Sequence, residues 1–181
     1  MVAQSSDGRP EGAGGGRELR GAASGHARSP RTAPSRVRTD DLAVHGAVGG
    51  FLGGLAMALL AMTVSASLGR GFFMPMRLVA AIAFGPDAMG GVVPIVVGIL
   101  IHLAMATALG VLFAWAIGGF RPNLMAWSIA YAVLVWLLAQ FFALPLANPI
   151  MAAQMPPLLW LLCHVAYGAV LGGYLAEGAG S

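Results

Sequence analysis

Two histidines, His102 and His164, are the residues of this sequence that are best placed for chemistry. Each lies inside a long apolar run, and both runs read P-x7-H-x7-G, starting at Pro94 and Pro156. An imidazole in hydrocarbon is costly without a partner, so a histidine within a membrane span is a functional hypothesis. At about 1.5 Å of helix rise per residue, both histidines lie about 12 Å past their prolines. Two imidazoles at one depth could ligate a single haem b iron, with flanking glycine and alanine leaving space for the porphyrin.

The alternative for this pair is purely structural. Neutral buried imidazoles could bond to backbone carbonyls, to Thr107, or to Tyr131 or Tyr167 across the bundle. We find no phosphate loop, no H-E-x-x-H and no nucleophile–base–acid set in the sequence, so we predict no catalytic residue and no enzyme. The single cysteine, Cys163, follows an apolar run, which favours an inert buried thiol, and we predict no metal site besides the haem alternative.

The elements that must hold these histidines are membrane helices. Hydrophobic residues make up 58% of the chain and charged residues 9%, against about 25% charged in soluble domains, which excludes an ordinary water-soluble globule. Runs of about 20 apolar residues predict spans at about 43–69, 92–118, 123–143 and 157–176. A short outer interfacial helix is predicted over 75–84, because it starts with Pro75 and stops at Gly85. We therefore predict an all-α polytopic bundle of four transmembrane helices, occupying residues 42–177.

Residues 1–41 form a separate region rich in Arg, Gly, Ser and Pro. This composition predicts a disordered tail, and the absence of lysine and aromatic residues from it argues against nucleic-acid binding. The arginines nearest the predicted spans are unevenly divided between the two sides of the membrane. Arg121 and several tail arginines fall on one side, and only Arg70 and Arg77 fall on the other. By the positive-inside rule, both termini are predicted to lie in the cytoplasm of a bacterium, with the chain in its inner membrane.

Small residues four positions apart form ridges on three predicted helices. Such ridges let membrane helices approach closely, and the helix-packing residues predicted from them are Gly49, Gly53, Ala106, Gly110, Gly168 and Gly172. Because no charged side chain lies within a predicted span, an ion-coupled transporter is disfavoured. The leading hypothesis is a non-enzymatic accessory or scaffold component that packs with itself or within a larger membrane complex. A b-type haem electron-transfer subunit and a small-solute channel lined by the ridges remain alternatives.

Aromatic residues cluster near the predicted ends of the spans, as in the interfacial belts of membrane proteins. The outer belt is predicted to consist of Phe72, Phe73, Phe141, Phe142 and Trp160.

Several short motifs extend along the predicted bundle. They are a Gly-rich first helix, a G-x3-P-x-R-L-x-A segment from Gly71, the H-x7-G of His102, an Asn148-Pro149 loop and Tyr167-Gly168. With these motifs, the region from about 43 to 176 resembles a group of small uncharacterised bacterial four-helix integral membrane proteins. That group has no assigned reaction, so the resemblance implies architecture only, and the tail lies outside it.

Overall fold

The computed structural model describes residues 39–117 and 123–178, most of which are helical and none of which lies in a strand. The α-helices are α1 (Thr39–Ser67), α2 (Met74–Phe84), α3 (Val93–Ile117), α4 (Leu124–Leu138), α5 (Leu144–Ala147), α6 (Pro149–Gln154) and α7 (Pro157–Gly178). A 3₁₀ turn, Gly85–Met89, follows α2, and a π-helical turn, Ala139–Ala143, joins α4 to α5. The predicted tail up to residue 38, and Arg121, lie outside the described residues.

Four helical segments are long and apolar enough to cross a membrane. They are Asp41–Ser67, Val93–Ile117, Leu124–Ala147 and Pro157–Glu177, with mean hydropathies between 1.6 and 2.4. Large apolar side chains such as Leu59, Leu100 and Leu162 are more than half exposed, as expected where lipid replaces water. The protein is a multi-pass membrane protein, and the predicted all-α class with four spanning helices is confirmed; the predicted short helix is present as α2.

The third span ends later than predicted, at Ala147 rather than at 143. The prediction treated Pro145 as a helix breaker, since proline lacks an amide hydrogen and crowds the carbonyl four residues earlier. The π-helical turn Ala139–Ala143 widens the helix immediately before Pro145 and lets it continue. Helix α5 ends before Asn148, whose Oδ1 accepts a hydrogen bond from the Met151 amide at 3.1 Å and so caps α6.

The long helices pack in the order α3, α1, α7, α4. Although α3 and α4 follow each other in sequence, they do not pack side by side. The Tyr131 hydroxyl bridges them by donating to the Leu109 carbonyl at 2.9 Å, and the Tyr131 ring lies 5.1 Å from that of Phe113. Helix α2 covers one end of α3, and α6 packs on α2. This arrangement leaves a cleft between α3 and α4.

Glycines set the close approach of α1 to α3. A Cβ added at Gly50 would lie 2.5 Å from the Ala106 carbonyl oxygen and 2.9 Å from the Gly110 Cα, so the two backbones are in contact. The α1 ridge that faces α3 is Gly46, Gly50 and Gly54. Sequence analysis missed this ridge because it is offset by one residue from the predicted one.

The predicted small residues lie in helix contacts within the same chain. Gly49 and Gly53 face α7, where a Cβ at Gly53 would be 2.9 Å from Tyr167. Gly168 and Gly172 face α4 around Ser128, whose hydroxyl donates to the Gly168 carbonyl at 2.7 Å. Together with Ala106 and Gly110 against α1, all six predicted packing residues are placed in interfaces between helices of the bundle.

Candidate functional site

A cavity of about 180 Å³ lies in the α3–α4 cleft, at the end of the bundle that carries α2, α5 and α6. His102 from α3 and His164 from α7 both line it, so the structure brings the two predicted residues to one site. The other walls come from every remaining α-helix and are apolar except for Asn148, Trp160 and Tyr167. Among residues 39–117 and 123–178, no charged side chain lines the cavity.

His102 reaches across to the backbone of α1. Its Nε2 lies 3.0 Å from the Gly54 carbonyl oxygen, and because a carbonyl only accepts, Nε2 carries the hydrogen and donates. The contact is short because Gly54 has no side chain at the α1–α3 crossing, where a Cβ would be 2.6 Å from that of Ala106. The Nδ1 lone pair of the neutral ring then has no hydrogen-bond partner among the described residues.

His164 is held within its own helix. Its Nδ1 donates to the Trp160 carbonyl one turn earlier at 2.9 Å, and the Trp160 indole packs edge-on against the imidazole with centroids 5.2 Å apart. The side chain is 6% exposed, so its orientation is fixed by packing on both sides. Its Nε2 lone pair lacks a partner within the part of the chain that the structure describes.

Both histidines are therefore hydrogen-bonded to backbone carbonyls, which is one of the arrangements that the structural alternative predicted. Tyr131 and Tyr167 bond elsewhere, to the carbonyls of Leu109 and Ala106 at 2.9 Å each. Each imidazole still has one ring nitrogen without a hydrogen-bond partner among the described residues, and both residues line the same cavity. A ring N–H directed at a backbone carbonyl is also the usual orientation of a metal-ligating histidine.

Asn148 fixes the end of the cavity. It is 3% exposed, and its Nδ2 donates to the Leu78 carbonyl of α2 at 2.7 Å while its Oδ1 caps α6. The same Nδ2 lies 3.9 Å from the Met151 sulfur. One side chain therefore connects the α5–α6 corner to α2 and orients Met151.

We expect Asn148→Ala to destabilise the fold by about 2 kcal/mol, because it removes the cap and leaves the Leu78 carbonyl without this donor. Asn148→Ser is the matched variant, since serine can cap α6 but is too short to reach Leu78. Chemical unfolding in detergent should rank wild type above Ser and Ser above Ala. Equal stability of the three proteins would show that this link to α2 is unimportant.

One predicted belt residue is placed differently. Phe72, Phe73, Phe141 and Phe142 are exposed on the surface, but Trp160 is 6% exposed and packs on His164, so the belt prediction is wrong for Trp160. A large aromatic residue near a span end suits either an interface or a cavity wall, and the sequence alone does not separate the two.

Three methionines of the cavity were also missed by sequence analysis. Met57 on α1, Met105 on α3 and Met151 on α6 all line it. Of the three, only Met105 could have been predicted from the sequence, because it lies one helical turn after His102 and therefore on the same face of the helix.

The chain matches no protein-family model, no curated protein and no solved structure. Across residues 39–117 and 123–178, no group of three or more His, Cys, Asp or Glu side chains gathers in a way that could hold a metal ion. Function must therefore be inferred from the histidine-lined cavity itself.

Proposed function

We propose that this chain is a non-enzymatic membrane protein that holds a small ligand between His102 and His164. The supporting observation is that both histidines line one apolar cavity, each with one ring nitrogen bonded to a backbone carbonyl and the other without a partner among the described residues. An apolar cavity with a few convergent polar groups is the usual form of a ligand site. Unpaired lone pairs in such surroundings favour an occupant that accepts them, either a hydrogen-bond donor or a metal.

The size of the cavity favours a small occupant. Its volume of about 180 Å³ is below the roughly 300–1,000 Å³ of sites for drug-sized molecules, and cavities of roughly 150 Å³ admit guests the size of benzene. Haem b is the second candidate, favoured by the shared cavity and the carbonyl-anchored rings. A porphyrin would require α3 and α4 to move apart, with loss of the Tyr131 hydrogen bond to Leu109.

The proposal is tested by native mass spectrometry of the full chain, released from its own membrane in mild detergent. We expect a bound mass in the wild type that is lost in the double variant His102→Gln, His164→Gln. Glutamine keeps an N–H for the carbonyls but has no imidazole lone pair, which limits damage to the fold.

The matched control is His45→Gln, because His45 is exposed and its Nδ1 bonds to the Asp41 carbonyl at 2.7 Å, away from the cavity. This variant should retain the bound mass. A wild-type protein without any histidine-dependent occupant would refute the proposal, and an absorption spectrum with a Soret band would identify the occupant as haem.

We also propose a bacterial inner-membrane location with both termini in the cytoplasm. The support is the arginine distribution in the sequence, since Arg70 and Arg77 lie between the first two spans, whereas a larger number precede the first span or, as Arg121, lie between the second and third. Arg70 donates to the Gln154 carbonyl at 2.8 Å, which ties that arginine to the last residue of α6. Labelling of a cysteine introduced at the exposed Gly90 from the outside of intact cells tests this orientation.

A scaffold role through helix packing and a channel lined by the ridges remain predictions with less structural support. Both roles were suggested by the small-residue ridges. These ridges lie in contacts between helices of one chain, so they are neither free to bind a partner nor open to solute. Crosslinking in native membranes would test the scaffold role through a trapped dimer or larger complex.

A further inference from the structure

The described groups around the histidine cavity that could bind a metal are neutral nitrogen and sulfur donors, apart from the oxygens of Asn148 and Tyr167, which already form hydrogen bonds. Three methionines, Met57, Met105 and Met151, line the same cavity as the two histidines. Met57 and Met151 are buried, at 9% and 5% exposure, and Met105 is exposed at the edge of the cavity. All five groups are neutral, and each thioether is a soft, polarizable donor.

The donor set selects against most metals. Thioethers and imidazoles bind Cu(I), whereas Mg²⁺, Ca²⁺ and Mn²⁺ require carboxylates or other oxygens, and none of the described residues that line the cavity has a carboxylate. The described wall also lacks a thiolate, because Cys163 lines a separate small cavity with Ser65 and Arg70. Tetrahedral zinc sites use thiolate, imidazole or carboxylate ligands, of which only two imidazoles are present here.

Because the described cavity wall is uncharged, it favours a monovalent cation over a divalent one. The solvation cost of placing an ion in an apolar medium grows with the square of its charge, so a divalent ion costs about four times as much as a monovalent one. Neutral donors do not compensate the charge of the ion, so the cost of burying the ion is smallest when that charge is +1.

The positions of the donors are fixed by the fold. His102 and Met105 lie one turn apart on α3, and Met57 lies one turn after Gly54, whose carbonyl holds His102. Asn148, bonded to both α2 and α6, lies against the Met151 sulfur. The π-helical turn on the opposite wall places Ala139 and Ala143 at the cavity, and small side chains there leave space beside the rings.

We propose that His102 and His164, with thioether ligands drawn from Met57, Met105 and Met151, bind one Cu(I) ion. This inference rests on the proposed function, for which it names the ligand class. Binding involves no change of oxidation state, because the ion enters and leaves as Cu(I) and both imidazoles are already neutral.

The test is anaerobic titration of the full chain in nanodiscs with Cu(I), in competition with a chromophoric Cu(I) chelator. We expect one ion per chain, binding of Ag(I) at the same site, and no uptake of Zn(II). Methionine-to-leucine changes nearly preserve volume while removing the sulfur, so the double variant Met57→Leu, Met151→Leu should weaken Cu(I) binding at least about tenfold. Sulfur scattering at the copper absorption edge should fall in the same variant.

Met62→Leu is the matched control, since Met62 is a buried methionine of α1 that packs with Ala58 and Met76 instead of lining the cavity. It should bind Cu(I) like the wild type. The inference is overturned by absent Cu(I) binding, or by binding that is unaffected in the methionine or histidine variants. If native mass spectrometry then still shows a histidine-dependent occupant, the proposed function stands and only copper is refuted; if it shows none, both fail.

Discussion

Replacing Gly50 with alanine is expected to destabilise the bundle by about 2 kcal/mol, because the new methyl group would overlap the backbone of α3. Its Cβ would lie 2.5 Å from the Ala106 carbonyl oxygen, and a main-chain atom cannot turn aside as a flexible side chain can. Overpacking of this kind costs roughly 1–3 kcal/mol, and in lipid the packing between helices supplies most of their association. Unfolding in mixed detergent micelles, followed by tryptophan fluorescence, measures the effect.

Gly173→Ala is the matched control for this prediction. Gly173 also lies inside a spanning helix, but a Cβ there meets only the Met125 methyl carbon at 3.6 Å, an ordinary contact. Alanine is the better helix former by about 1 kcal/mol, so this variant should be neutral or slightly stabilising. Equal losses for both variants would show that glycine content, rather than close packing of α1 on α3, governs stability.

The largest loss is expected for Trp160→Ala, at roughly 3 kcal/mol. The indole is 6% exposed, forms part of the cavity wall and packs edge-on against His164. Truncation of a buried tryptophan in a soluble core costs roughly 3–5 kcal/mol, and the value falls toward the lower end here because lipid tails solvate apolar groups well. The same change frees the His164 ring from one side, so ligand binding should weaken together with stability.

Leu158→Ala separates these effects from a general loss of apolar surface. Leu158 is on the same helix but is 75% exposed, so its truncation should change the free energy of unfolding by less than about 0.5 kcal/mol. Trp160→Phe should fall between the wild type and alanine. A Trp160→Ala protein as stable as Leu158→Ala would contradict the packing described for the cavity wall.

The architecture was predictable because lipid imposes strict rules on a chain. Runs of about 20 apolar residues in a bilayer must be helices, because their backbone groups can bond only to one another. Proline, asparagine and glycine mark where such helices end. The short helix α2 followed from Pro75 and Gly85 at its ends. The end of the third span at Ala147 did not follow, since a π-helical turn depends on packing around Pro145 and has no composition signal of its own.

Of the residues that line the cavity, only His102 and His164 were predicted from the sequence to bind a ligand. Their shared depth followed from equal spacing to a proline, but the side of each helix that faces the cavity depends on helix order. That order, α3, α1, α7, α4, is set by which glycine ridge meets which helix, and α1 carries two ridges one residue apart. The methionines come from three helices that sequence spacing does not connect, so their convergence appears only in three dimensions.

The helix order also bears on how the protein is made. Within each half of the chain the long helices pair with each other, α1 with α3 and α4 with α7, while the halves meet through α1 and α7. The first hairpin can close while the second is still being synthesised, and the α1–α7 interface waits for insertion of α7. His102 belongs to the first hairpin and His164 to the second. Two halves synthesised as separate polypeptides would each carry one histidine and would form the site only when they associate in the bilayer.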